Sequence, residues 1–454
     1  MMSPLPDHQQ ENWLPQNWEQ IPVKELLQLQ NGFPFKPTQW STRGLPIIRI
    51  QNLNKAGASF NYFEGNVDPK FKVENGDLLF AWSGTPGTSF GAHIWTGGDA
   101  WLNQHIFNVK FKRTGLNKEF IRLAINQNLA EYVENANGGV GLAHITKAKF
   151  DESLLIVPPL EIQDFIVERV QQFNRLLTPC RERLTSTKSI LKKFRQSVLA
   201  AACSGQLTAD WRDGALEIQP ASELLKELAE ARSDQIGPKA KQPVEPDLEM
   251  QFDIPDSWEC VSVDALSTKV ADGVHKKPNY VSEGIPFVTV RNLTAGPGIS
   301  FERLNYVTRK DHLEFTARTK PERGDILISK DGTIGTVRVV DTDREFSIFV
   351  SVALVKVTDK RLTRYLELAF NCPAVQERMT RTGTGLQHLV LRDLRQLAIP
   401  LPPLSEQAEI VRRVESLFAL ADAIESRLAE AAAQVERTTQ VMLAKAFRGE
   451  LSGD

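Results

Sequence analysis

The sequence repeats itself, and a repeat of this length fixes the architecture before any local pattern is read. Leu14-Pro15-Gln16-Asn17-Trp18-Glu19 leads to Gly44-Leu45-Pro46-Ile47-Ile48-Arg49-Ile50-Gln51-Asn52-Leu53. The pair returns 240 positions later as Ile254-Pro255-Asp256-Ser257-Trp258-Glu259 and Gly284-Ile285-Pro286-Phe287-Val288-Thr289-Val290-Arg291-Asn292-Leu293. Gly76-Asp77-Leu78-Leu79 then answers Gly324-Asp325-Ile326-Leu327 at an offset of 248. The offset settles at 244 for Gly141-Leu142-Ala143-His144 with Gly385-Leu386-Gln387-His388, and it holds for Pro158-Pro159-Leu160 with Pro402-Pro403-Leu404 and for Gly205 with Gly449. Loops of unequal length produce such drift. At 454 residues the chain is about three times the usual domain size, so it is expected to fold as two copies of one unit.

Within each copy, short apolar runs bounded by Gly and Pro predict strands at 46–50, 77–81, 154–157, 287–290 and 351–357. Helical spacing predicts helices at 119–134 and 364–378, so each globular part is α+β. The proline pairs at 158 and 402 end the last strand and open a helix. There the pattern changes to an alternation of four and three. In the second copy it runs Ile410, Val414, Leu417, Ala421, Ile424, Leu428, Ala431, Val435, Thr438, Met442. In the first it runs Ile166, Val170, Phe173, Leu177, Cys180, Leu184, Thr187, Leu191, Phe194, Val198, every position 244 earlier. These are heptad seams in one register. An amphipathic helix packed on its own domain would show the same stripe, but about 35 residues make a rod of ~50 Å, longer than a small domain is wide. Each helix therefore needs a long partner, and the other copy is the obvious one. The chain must return to begin the second copy, so an antiparallel coiled coil with pseudo-two-fold symmetry is expected. The divisions are a first domain at 12–160, a helix at 161–204, an acidic linker with a short helix at 205–252, a second domain at 253–403 and a second helix at 404–448.

Composition is that of a soluble globular chain, 41% hydrophobic and 24% charged. No apolar run approaches the ~20 residues of a membrane span, and the expectation is a cytoplasmic protein without membrane contact. Cys180, Cys203, Cys260 and Cys372 lie far apart with no CxxC pair, so each is expected to be a small buried hydrophobe, without metal or disulfide. The net charge of -2 hides an asymmetry: 213–259 holds twelve acidic and four basic residues, while 20–160 and 260–395 carry excesses of three and five basic residues. Two weakly basic globular blocks permit a polyanionic partner without establishing one.

The order of these motifs resembles the specificity subunits of Type I restriction-modification systems. That family's pattern is a recognition domain opening near P-x-x-W, with G-I-P-like and G-D-I-L-like strands and a G-L-x-H-like turn, closed by L-P-P-L-x-E-Q and a long helix ending A-x-x-G-x-L, all written twice. This chain carries Leu401-Pro402-Pro403-Leu404-Ser405-Glu406-Gln407 and Ala446-Phe447-Arg448-Gly449-Glu450-Leu451, against Val157-Pro158-Pro159-Leu160-Glu161-Ile162-Gln163 and Ala202-Cys203-Ser204-Gly205-Gln206-Leu207. Ile162 departs from the usual acidic position. The resemblance implies two target-recognition domains that read the halves of a bipartite, asymmetric sequence in double-stranded DNA. It also implies helices that act as spacer and as docking surface for two methyltransferase (modification) subunits and two restriction/translocase subunits. The chain itself would be non-catalytic, with S-adenosylmethionine, ATP and Mg on the partners and no cofactor of its own.

Neither a GxxxxGK[ST] phosphate loop nor an HExxH metal motif occurs. The proline pairs lack the preceding Asn or Asp of an adenine methyltransferase. The glycine-rich stretches near Gly84 and Gly332 read as phosphate cradles or as hairpin turns, and Asp77 and Asp325 as turn caps. Candidate DNA contacts are Arg49, Gln51, Asn52, Ser83, Thr85, His144 and Lys147 in the first copy. In the second they are Arg291, Asn292, Lys330, Thr333, Arg338, His388 and Arg392. Arg49 and Arg291 occupy matching places, which suits phosphate contact or support of the fold better than base reading. His144 and His388 are either DNA-facing or satisfy a local turn. The seam residues offered for helix and subunit contact are Ile166, Val170, Phe173, Leu177, Leu184, Leu191 and Val198 with Ile410, Val414, Leu417, Ile424, Leu428, Val435 and Met442. Two other readings stand beside this one: a coiled-coil scaffold without sequence-selective DNA binding, and an enzyme with unfamiliar motifs.

Overall fold

Alternating apolar residues become strands in both copies, and the sheets they form have one topology. The computed structural model describes residues 14–54, 57–84, 89–129, 132, 143–215, 217–247, 253–276, 278–380 and 388–451. It divides into two compact units, one of 1–184 with 430–454 and the other of 185–429. In the first, an antiparallel sheet runs in the order Leu27–Asn31, Ile106–Phe111, Leu78–Ala81, Gly91–Ile94. In the second the order is Ser267–Asp272, Val352–Val357, Ile326–Ser329, Val337–Val339. Register confirms the equivalence: Phe107 faces Asn31 and Phe80, and Ala353 faces Asp272 and Ile328.

A smaller mixed sheet accompanies each, built on Leu45–Ile48 parallel to Ala100–Leu102 and on Ile285–Val288 parallel to Ser347–Ile348. These strands end two residues earlier than the apolar runs predict, because Ile50–Asn54 and Val290–Thr294 turn into short helices. The helix expected over 364–378 is two helices, Thr363–Phe370 and Pro373–Thr380, since Pro373 cannot donate the bond that would continue the first. The acidic stretch is no loose link. Its helix runs Ala221–Ile236, with Leu224 and Leu228 buried in the second unit's core and the Arg232 guanidinium donating to the carbonyls of Asp264 and Ser267.

The long helices are Leu160–Cys203 and Leu404–Phe447, 44 residues each, or ~66 Å rather than the ~50 Å expected. They pack antiparallel within each unit. In the first, Ile166, Val167 and Val170 share a core with Ala446 and Phe447, and Arg181 donates to Thr439 Oγ1 at 2.9 Å. In the second, Val198, Leu199 and Ala202 share a core with Ile410 and Val414, and Arg195 reaches Asp422 at 2.6 Å and Glu425 at 3.2 Å. Every proposed seam residue is buried or half-buried. Two members of the wider alternation are not: Cys180 and Ala431 are exposed. Cys180 therefore corrects the expectation of four buried thiols, and Cys260 is only half-buried, whereas Cys203 and Cys372 are buried.

Each helix ends on a glycine in the left-handed region, Gly205 at φ 76° and Gly449 at φ 74°. These glycines explain the paired motifs. A Cβ on Gly205 would lie 2.6 Å from Pro255 Cγ, and one on Gly449 would lie 2.6 Å from Pro15 Cγ. The end of each helix thus seats on the P-x-x-W opening of the other copy's domain. We predict that Gly205→Ala or Gly449→Ala costs about 1–3 kcal/mol, from combined φ strain and overpacking. Denaturant melts of the purified variants measure this, and wild-type midpoints would contradict it.

Candidate nucleic-acid interface

The candidate contacts fall into three groups. One group is spent on the fold. Asn292 is buried, its side-chain oxygen accepting from the Thr289 backbone N–H at 3.0 Å and its amide donating to the Ser300 carbonyl at 3.1 Å. Asn52 does the same, accepting from the Arg49 N–H at 3.0 Å and donating to the Ser59 carbonyl at 3.1 Å. Both cap the short helix that follows the G-I-P strand, so each amide has a role in the fold that its candidacy as a base reader did not include. Arg338 is likewise engaged in the fold. Its guanidinium donates to the carbonyls of Gly296, Gly298 and Val337, and burial pulls its pKa below the usual arginine value. Arg49 lies 4.8 Å over the Trp40 ring and donates to Asn61, which leaves it a supporting role.

A second group is open to solvent: Gln51, Arg291, Thr333 and Arg392 are exposed, Arg392 with 83% of its side chain accessible. Gln51, Arg291 and Arg392 lie on short helices, Ile50–Asn54, Val290–Thr294 and Leu391–Gln396, and Thr333 on the turn after Ile326–Ser329. Thr85 lies outside the described residues, as do Gly141, Leu142 and 385–387 of the G-L-x-H turns.

The third group converges at the end of the central strand of each main sheet. In the second unit Ile326–Ser329 is followed by Lys330 and Asp331, and Asp331 bridges to His388. In the first, Leu78–Ala81 is followed by Trp82 and Ser83, and Ser83 pairs with His144. The match extends to the next bond, since the Ile145 N–H donates to the Trp82 carbonyl at 3.1 Å and the Leu389 N–H to the Lys330 carbonyl at 2.9 Å. Lys330, a candidate DNA contact, is buried, with 5% of its side chain accessible. Its ammonium lies 3.8 Å from both Asp272 Oδ2 and Asp331 Oδ2. Arg318 donates to Asp272 Oδ1 at 3.2 Å, His275 Nε2 lies 3.2 Å from Asp272 Oδ2, and His388 Nδ1 contacts Asp331 Oδ1. Sequence alone gave no signal for Asp272, which only register places there. In the first unit the same place is a groove of about 520 Å³, with Trp82, Phe107 and Ile145 on its apolar side and Gln30, Asn31 and Lys147 on its polar side.

Asp77 and Asp325 are turn caps with added partners. Burial raises the Asp77 carboxyl, but Lys110 at 2.8 Å and the Glu74 N–H outweigh it and hold its pKa below the usual range. Asp325, fully buried, accepts from the Glu322 N–H and from Lys356 and Lys360. Among the described residues, no group of three or more His, Cys, Asp and Glu is placed to hold a metal ion, and no helix is long and apolar enough to cross a membrane.

The model of the Type I restriction modification DNA specificity domain matches this chain twice, over residues 15–185 and 255–433. The chain belongs to that family. Among its curated relatives, the specificity subunit of the Type I restriction enzyme EcoBI from Escherichia coli is 30% identical over 444 residues, covering 96% of this chain and 86% of that protein. The EcoKI specificity subunit from Escherichia coli K12 is 26% identical over 471 residues, covering 97% and 90%. Among solved structures, a chain from work on assembly and conformational transition of the type I R-M system superposes with a TM-score of 0.56 at 17% identity. It covers 96% of this chain and 99% of the other, and shares the fold. Both family matches run from the P-x-x-W opening into the long helix, so a family unit is a recognition domain with most of its helix.

Proposed function

We propose that the chain is the sequence-reading subunit of a Type I restriction-modification complex, each repeated domain contacting one half of a bipartite, asymmetric DNA site. The observation that carries this reading is the family match occurring twice, on two units with the same sheet topology but different side chains at the end of the central strand. One fold with two sets of contacts suits an asymmetric target. The chain performs no chemistry in this reading. Two modification subunits methylate adenine N6 with S-adenosylmethionine, and two restriction subunits use ATP and Mg, all in the cytoplasm. Leu176 and Leu420, 244 positions apart, expose 69% and 57% of their surface and offer equivalent apolar docking points to two copies of one partner.

The test is co-expression with the modification subunit from the same operon, followed by single-molecule sequencing of host DNA for methylated adenine. A split motif with a fixed nonspecific gap is the expected result. A soluble complex that adds no methylation would instead favour a scaffold.

A further inference from the structure

The two units can be compared position by position where the central strand ends. The His144 and His388 positions are the same in both. Three others differ in chemistry: Asn31 corresponds to Asp272, Trp82 to Lys330 and Ser83 to Asp331. In the first unit the result is a groove without carboxylates, with an indole on its apolar side and Lys147 on its polar side, the Trp82 ring lying 5.9 Å from that of Phe107. In the second it is a cluster of alternating charge, with two carboxylates around a buried ammonium and Arg318, His275 and His388 at the exposed rim.

The second cluster is costly as a purely structural device. A buried lysine normally makes close ion pairs and hydrogen bonds. Here both carboxylates stand 3.8 Å from the ammonium, beyond hydrogen-bond distance, and among the described residues it donates no hydrogen bond. The Lys330 donors are held in place but not saturated. Base edges in the major groove supply what is missing: guanine O6 and N7 accept from lysine, and cytosine N4 donates to a carboxylate. The first unit's groove offers the opposite set, apolar surface suited to a thymine methyl with the Asn31 amide beside it.

We propose that these three positions determine which base pairs each domain accepts: Asn31, Trp82 and Ser83 for one half-site, and Asp272, Lys330 and Asp331 for the other. The shared histidine positions act alike in both domains and orient the DNA. The inference rests on the sequence-reading function proposed above.

It is tested with the full chain in complex with its modification subunits, reading methylated motifs on host DNA. Asp331→Ser and Lys330→Met are expected to reduce discrimination by roughly tenfold to a hundredfold at one or two base pairs of a single half-site. Ser83→Asp is expected to alter the other half-site and leave the first intact. Asp331 is 37% accessible, so its variant should melt as wild type does; if Lys330→Met fails to assemble, the Asp331 and Ser83 variants decide. An unchanged motif overturns the inference, as does an equal loss at all sites without a change of sequence, or both variants altering the same half-site. A wild-type complex that yields no split motif removes the proposed function itself, which these variants leave untouched.

Discussion

Replacing Glu406 by alanine is expected to destabilise the second unit by about 3–5 kcal/mol, the usual cost of removing one partner from a buried ion pair. Glu406 is fully buried at the start of the second long helix. Its carboxylate accepts from Trp258 Nε1 at 2.8 Å and Thr208 Oγ1 at 2.7 Å, and it pairs with Arg212. One side chain therefore ties together the P-x-x-W opening, the segment after the first long helix and the second helix. Truncation leaves an indole N–H and a guanidinium, itself only 20% accessible, without their acceptor. Thermal melting of the purified chain measures the effect, and a shift of several degrees is expected for a unit of this size. Thr208→Val, which removes a single hydrogen bond, should cost about 1 kcal/mol. A Glu406→Ala variant that melts with wild type would show that the network contributes nothing net.

Deleting one heptad from each long helix, 185–191 together with 429–435, is expected to shorten the gap in the recognised motif by about three base pairs. Both half-site sequences should stay as they were. Seven residues at ~1.5 Å remove ~10 Å of helix, and base pairs stack at ~3.4 Å. A whole heptad keeps Leu184 and Leu428 in phase with the seam residues beyond the deletion, so packing within each unit is retained. Methylome sequencing of the co-expressed complex reads the outcome. Altered half-sites with an unchanged gap would refute the spacer role of the helices.

The repeat made the architecture legible because equivalent residues face equivalent constraints. Pro158 and Pro402 stand two residues before the long helices begin, and Gly205 and Gly449 close them in the left-handed region. The departure at Ile162 also has a structural counterpart. Ile162 and Trp18 both pack on the first core, whereas the equivalent Glu406 meets Trp258, Thr208 and Arg212. One solution is apolar and the other pairs its charges.

Individual site residues were less legible. Asn52 and Asn292 look like base readers because an amide can pair with adenine, yet the same amide caps a helix start. Which partner wins depends on whether backbone groups or solvent surround it. Arg338 was taken by carbonyls of a loop 40 residues earlier in the chain, a proximity that no local pattern encodes. Lys330 was buried because the strand it follows lies at the centre of its sheet.

The sequence by itself determined that there are two copies, that each carries an α+β domain and a long helix, and that both helices share one heptad register. Those properties follow from periodicity and offset, which are one-dimensional. Only the tertiary structure decided that each helix end seats on the other copy's domain, that Asp272 stands beside Lys330, and that two asparagines are caps. These depend on which distant residues meet, and strand register and burial set that only once the chain has folded.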